Sequence, residues 1–289
     1  MKKIFCILLT IFCLIPSLSG CFTDSSEFDI DREINVISRE DGSGTRGAFT
    51  DIFELVKKGD GGTKKDLSTK EAVIAKQTDV LMTSISSDRF AIGYISLGSL
   101  NDTVKPVKID GVTASAENVK DGGYKVVRPF VIVTKENRSE IAGDFIDYIL
   151  SSDGQTIVSE SYISVSDNAS AYSGNRPSGK IVIAGSSSVT PIMEKLKESY
   201  LKINPNAKIE LQQSDSSAGI TGTEDGTCDI GMSSRDLTES ELDGLVSENI
   251  ALDGIVIVVN NVNPIDSLSK DDVKKIYMGE ITKWSEIGG

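Results

Sequence analysis

The sequence predicts an α/β fold in which strands and helices alternate, on three observations. A β-branched run, a glycine-rich turn and a helix-period stretch follow one another from residue 34, and the same succession returns near residue 180. The runs "YKVVRPFVIVT" and "ALDGIVIVVN" have the length and branching of buried strands. Between the two successions, residues 169–179, "ASAYSGNRPSG", are small, polar and without period, and read as a linker. Such alternation argues for helix layered on largely parallel sheet.

Taken in order, residues 34–37 are a strand, and Ala48, Phe49, Ile52, Phe53 and Val56 recur at the spacing of a helix. "KKGDGGTKK" breaks the pattern as a loop, and "STKEAVIAKQTDVLMTSIS" returns to helix. "FAIGYISL" and "VKPVKIDGV" are strands, and "SEIAGDFIDYILSSDGQTIV" is a helix with a second short one behind it. After the linker, "KIVIAG" is a strand, "SSSV" a loop and "TPIMEKLKESYLKI" a helix. Thr190 suits its N-cap and Pro191 its first position. "AKIELQQ" is a further strand, the Ser-rich stretch after it a loop and a short strand, and "SKDDVKKIYMGE" a helix.

The first residues are a targeting segment. "MKK" is basic, residues 4–18 are apolar but marginal in length for a span, and "LSGC" places small residues before Cys21. Residues 1–20 are thus a signal peptide. "LSGC" resembles a bacterial lipobox, with Cys21 lipidated and residues 21–32 forming a polar tether; an uncleaved anchor or plain secretion is the alternative. Of four cysteines, Cys6 and Cys13 fall in the signal, and Cys21 takes lipid. Only Cys228 is left, a small buried residue rather than a nucleophile.

Composition excludes several functions. A net charge of −13 does not suit a nucleic-acid partner. The chain has no histidine, which argues against hydrolytic triads and zinc sites, so no catalytic group, metal or cofactor is expected. Small anions remain open, because a recessed site answers to its local donors.

Three loops concentrate hydroxyls and unhindered amides: Ser43, Gly44 and Thr45; Ser186, Ser187 and Ser188; and residues 214–219. At least two open onto helix starts, where free N–H groups and a partial positive charge favour anions. Arg39 adds a planar fork able to pair two oxygens of one ligand. Singly, each loop is as well explained by helix capping, and Arg39 by an ion pair with Glu40 or Asp41. Together they argue for oxyanion capture.

"VISREDGSGTRGAF", "VIAGSSSVTPIMEKL", "CDIGMSSRDLTESEL" and "IYMGEITKWSEIGG" resemble the signature stretches of the phosphate-binding lipoproteins of bacterial phosphate ABC transporters. The similarity spans nearly all of residues 33–289. It implies a two-lobed periplasmic-binding-protein-like fold of type II. Residues 33–168 match the family's C-terminal half and residues 180–289 its N-terminal half, so the halves stand in inverted order. Circular permutation, with residues 169–179 joining the old ends, would produce this; so would a fragment of a tandem protein. The resemblance further implies lobe one from residues 125–168 and 180–255, and lobe two from residues 33–124 and 256–289. The chain would cross between them near residues 123–124 and 258–260.

Carried over position by position, the resemblance assigns phosphate binding to Arg39, Ser43, Gly44, Thr45, Ser187, Ser188 (through its N–H) and Ser216, with Ser217 and Ser234 less firmly placed. Some family members have an aspartate where Ser234 stands, accepting a proton from phosphate. Asp215 or Asp236 would have to replace it here. The implied partners are inorganic phosphate, the transporter permease and, through Cys21, the cell membrane on its extracytoplasmic side. Three other readings compete. One is a receptor for sulfate or molybdate, and another a phosphate sensor or adhesion protein of the same fold. The third is an enzyme built on "SLSK" at residues 267–270 and "SDN" at residues 166–168, whose order is wrong for penicillin-recognising enzymes.

Overall fold

A computed structural model describes residues 27–58, 64–166 and 168–288. The signal peptide, Cys21, the first half of the tether, the tip of "KKGDGGTKK" and the aspartate of "SDN" lie outside the described residues. Strand β1 (Asn35–Arg39) leads into helix α1 (Gly44–Ile52), then β2 (Val56–Lys58), β3 (Lys64–Asp66), β4 (Val73–Ala75), α2 (Thr78–Ser87), β5 (Ala91–Ser96) and β6 (Lys105–Ile109). Helix α3 (Ala116–Lys120) precedes β7 (Val127–Lys135), α4 (Glu140–Leu150) and α5 (Ser152–Ser159). Beyond the linker come β8 (Gly179–Ser186), α6 (Thr190–Ile203), β9 (Ala207–Ser214), α7 (Ser216–Asp225), β10 (Ile230–Ser233) and β11 (Leu245–Val259). The last elements are β12 (Ser267–Leu268) and α8 (Lys270–Met278).

Strand β11, 15 residues long, builds both lobes. From Leu245 to Gly254 it runs antiparallel to β7, which pairs β10, then β8 and β9. From Ile255 to Val259 it passes between β5 and β6, with β1, β4 and β12 beyond them. A register shift between Asn249 and Ala251 bends it in lobe one. Its exposure changes along its length: the first residues are partly solvated, and nearly all from Ile250 onward are buried. Two apolar cores follow. One gathers Phe49, Phe53, Tyr94, Val256, Ile257 and Trp284 in lobe two. The other gathers Phe130, Phe145, Ile183, Leu196, Tyr200 and Met232 in lobe one.

The chain passes between lobes at residues 126–127 and 253–255. The second crossing lies earlier than the expected residues 258–260, because Val256, Ile257, Val258 and Val259 are fully buried in lobe two. The first lies slightly later than residues 123–124, because Tyr124 and Val126 also pack in that core, and Tyr124 donates its hydroxyl to the Ile255 carbonyl (2.7 Å).

Several elements depart from the sequence reading. Helix α1 stops at Ile52, and Val56 belongs to β2, paired with β3 in a hairpin where a loop was expected. The stretch from residue 68 opens as strand, with Val73, Ile74 and Ala75 parallel to β1, before α2 begins. Helix α7 replaces an expected loop. Its buried face is Ser216, Gly219, Ile220 and Thr223, too small and polar to register as an apolar period. A Cβ on Gly219 would stand 2.8 Å from the Ala184 carbonyl and from the Gly185 Cα, so only glycine admits this closeness of helix to strand. Helix α6 is capped by Val189 rather than Thr190, whose hydroxyl donates back to the Ser186 carbonyl (3.1 Å). The sheet is mixed rather than largely parallel, because β7 and β11 run antiparallel to their neighbours. Cys228 is buried, within 3.4 Å of the Thr223 hydroxyl. The linker is strapped to lobe one: Tyr172 donates its hydroxyl (2.6 Å) and Asn175 its backbone N–H (2.9 Å) to Asp144.

Candidate anion-binding site

Strand β1 delivers Arg39 to the boundary between the lobes. Beneath it the buried Tyr94 hydroxyl accepts from the Arg39 N–H (3.2 Å) and shares a hydrogen bond with Ser38 Oγ (2.9 Å). The Tyr94 ring stacks on Phe49 of α1 at 3.9 Å and 6°. One residue thereby fixes the arginine-bearing strand and the helix that follows it. Helix α1 is capped by Ser43, whose hydroxyl accepts from the Arg46 N–H (3.3 Å), so Gly44 and Thr45 open its first turn.

The Arg39 side chain is 2% exposed. Its Nε and Nη2 pair both oxygens of Glu40 (2.9 and 2.8 Å), and Nε also donates to the Ala75 carbonyl (3.1 Å). Across the lobe boundary Nη2 donates to Ser187 Oγ (3.1 Å), while Nη1 donates to Thr78 Oγ1 (3.3 Å). Thr78 Oγ1 lies 3.3 Å from both Ser187 Oγ and Ser188 Oγ, and Ser188 Oγ lies 2.8 Å from Thr45 Oγ1. Arg39, Thr45 and Thr78 come from lobe two, Ser187 and Ser188 from lobe one.

A second set adjoins the first. Ser186 Oγ donates to Ser234 Oγ (2.9 Å), and the Ser234 N–H donates to Ser216 Oγ (3.1 Å). Gly44 lies against this pair: a Cβ there would fall 2.3 Å from Ser216 Oγ and 2.7 Å from Ser234 Oγ. The Ser217 N–H donates across the boundary to the Gly42 carbonyl (3.2 Å). The lobes are closed upon one another.

All the expected residues therefore lie at or beside one point, though not in one role. Ser43 is turned into its own helix as a cap. The Ser188 N–H donates to Ser186 Oγ (3.3 Å), and it is the Ser188 hydroxyl that meets Thr45 and Thr78. Ser217 Oγ accepts from Arg235 Nη2 (3.2 Å) within lobe one and does not join the cluster. Of the two acids considered as acceptors, Asp215 caps α7 through the Ala218 N–H (2.9 Å), and Asp236 is exposed. Glu40 is the carboxylate that the structure brings to Arg39. Thr78, Ser186 and Ser234 complete the site. Ser186 stood in a candidate hydroxyl loop without being assigned to the ligand; Thr78 was missed, although a threonine opening an apolar helix in "QTDVLM" was a visible signal.

Helices α1, α2, α6 and α7 all start here. Their first-turn N–H groups lack carbonyl partners within the helix, and each start carries partial positive charge. With one buried guanidinium and hydroxyls that both donate and accept, the arrangement is suited to a small multivalent oxyanion. Replacing Thr78 by valine removes one hydroxyl at nearly constant shape. It is expected to weaken binding of the oxyanion about 3- to 10-fold with the fold intact, as calorimetric titration would read. A cavity of about 710 Å³ lies elsewhere, lined by Asp144, Asp147 and the linker from Ala169 to Asn175. Its carboxylates and lack of a lysine or arginine suit it poorly to an anion.

At the rim, Arg235 pairs Glu241 through two 2.8 Å hydrogen bonds, with its Cδ against Gly47 of α1. The guanidinium hydrogen bond holds the Glu241 carboxyl down at about 2, against an ordinary 4.5. A depressed carboxylate contributes stability that is full above its unfolded value and is lost as pH falls through the folded one. Between pH 4.5 and 2 the melting temperature should therefore fall more steeply for the wild type than for Glu241→Gln; parallel curves would refute this.

A family model for the PBP superfamily domain matches residues 23–153 and 170–289. Phosphate-binding protein PstS 2 of Streptococcus agalactiae serotype V is 50% identical over 275 residues, covering 94% of each chain. PstS 2 of Streptococcus pneumoniae serotype 4 is 46% identical over 255 residues, covering 88% of this chain and 87% of its own length. A crystal structure of a phosphate-binding protein of a phosphate ABC transporter from Streptococcus pneumoniae TIGR4 matches with a TM-score of 0.70 at 45% identity. That match covers 88% of this chain and 99% of the other. The chain belongs to the PBP superfamily and, within it, to the family of phosphate-binding proteins PstS.

Proposed function

We propose that this protein captures inorganic phosphate between its two lobes and passes it to the permease of a phosphate ABC transporter. The observation that carries the reading is the closed hydroxyl cluster, in which Arg39 meets Thr78 from its own lobe and Ser187 from the other at the starts of four helices. The relatives bearing the name phosphate-binding protein support the choice of ion. Arg39, Gly44, Thr45, Ser187, Ser188, Ser216 and Ser234 form the binding surface, with Ser43 and Ser217 in supporting positions. Chemistry on the substrate is not part of the function, since the family consists of binding proteins. Ser267 and Lys270 of "SLSK" are exposed, away from the cluster.

The protein works on the extracytoplasmic side, held to the membrane by lipid on Cys21. Among the described residues no helix is long and apolar enough to cross a membrane. The inverted order of the halves is a circular permutation. Supporting it, the Ile34 N–H donates to the Thr282 carbonyl (2.7 Å) and Glu33 bridges Lys283, so the segments that the family's order would join lie side by side.

Calorimetric titration with phosphate, repeated in excess sulfate, tests the reading. One phosphate per chain, bound tightly and resisting sulfate, is expected. Preference for sulfate would make the protein a receptor for a different oxyanion, and no binding of either would remove the transport reading.

A further inference from the structure

Directly beneath the cluster lies an ion pair that binding does not obviously need. Arg128 of β7 and Asp253 of β11 face each other in register, with side chains 1% and 0% exposed. Arg128 Nε and Nη2 both donate to Asp253 Oδ2 (3.0 and 2.9 Å). The pair stands where both strands leave lobe one, one residue before Val127 pairs Gly254 and Ile255 enters lobe two.

Beyond their bonds to each other, the two partners reach opposite lobes. Asp253 Oδ1 accepts from Ser96 Oγ (2.9 Å), at the end of β5 in lobe two. Arg128 Nη1 donates to the Ser234 carbonyl (3.2 Å) in lobe one. Ser234 is the junction of the lobe-one loops: its N–H holds Ser216, and its hydroxyl holds Ser186. One chain of hydrogen bonds thus runs from lobe two, through the crossing strands, to the lobe-one loops of the anion site.

Stability alone does not account for this pair. Burial pulls Arg128 below and pushes Asp253 above their ordinary values, against the attraction between them. Buried ion pairs are frequently no more stable than well-packed apolar replacements. What apolar side chains could not do is hold a carbonyl on one lobe and a hydroxyl on the other.

We propose that Arg128 and Asp253 are positioning residues for phosphate capture, setting the Ser234 loop against lobe two so that the site is assembled only when the lobes are closed. The proposal rests on the phosphate-binding reading and assigns the crossing strands a part in affinity rather than in folding alone.

The test compares the full-length wild type with Arg128→Met/Asp253→Leu, which removes both charges together. The double variant is expected to melt within a few degrees of the wild type yet bind phosphate at least tenfold more weakly, mainly through faster release. Arg128→Lys gives an independent check should the double variant not fold. Lysine keeps the charge beside Asp253 but lacks the fork that also reaches the Ser234 carbonyl, and a several-fold loss is expected. Wild-type affinity in either folded variant overturns the proposal while leaving the function intact. Failure of the wild type to bind phosphate overturns the function, and this inference with it.

Discussion

Arg39→Ala is expected to weaken phosphate binding by about 100-fold or more. The guanidinium is buried, reaches Ser187 in the opposite lobe, and is the cationic side chain that bonds the hydroxyl cluster. A hydrogen bond to a charged group contributes about 1.5–3 kcal/mol, and a planar fork can supply two of them to one anion. The loss has a second component, because alanine leaves Glu40 without the partner that binds both its oxygens. An unpaired carboxylate at 17% exposure would then repel the incoming dianion. Titration of the folded variant provides the measurement; affinity within about fivefold of wild type would mean that phosphate is held elsewhere.

Gly44→Ala should produce a comparable loss by a different route. Gly44 is the first residue of α1, where alanine favours the helix by up to about 1 kcal/mol, so lobe two should be no less stable. The added methyl group, however, would lie 2.3 Å from Ser216 Oγ and 2.7 Å from Ser234 Oγ, both in lobe one. Those contacts exist only when the lobes are closed. The variant is therefore expected to keep its melting temperature, lose phosphate affinity at least tenfold, and stay extended in small-angle scattering at saturating phosphate. Compaction like that of the wild type would show that the lobes close without this contact.

The longer strands and most helices were legible because apolar period and turn residues agreed along the chain. The runs at residues 124–134 and 251–260 announced themselves by β-branched residues, although β11 begins earlier, at Leu245, where its residues are polar and partly exposed. Helix α7 was hidden because its buried face is made of serine, glycine and threonine, which pattern reading assigns to loops. Strand β4 was hidden because Val73 and Ile74 are exposed on an edge, so its identity comes from pairing with β1, a long-range fact. The site divided in the same way. Arg39, Thr45, Ser187 and Ser188 could be named because loop chemistry and family resemblance met there. Thr78, Arg128 and Asp253 act through contacts between elements far apart in sequence, 109 residues from Thr78 to Ser187 and 125 from Arg128 to Asp253. No local pattern reports such distances.

A crystal structure of the protein with bound phosphate would show whether the closed hydroxyl cluster is the phosphate site. One phosphate is expected between the lobes, its oxygens within hydrogen-bonding distance of Arg39, Thr45 and the loop bearing Ser187 and Ser188. Phosphate bound outside that boundary, with Arg39 still engaged only by Glu40, Ala75, Thr78 and Ser187, would contradict it.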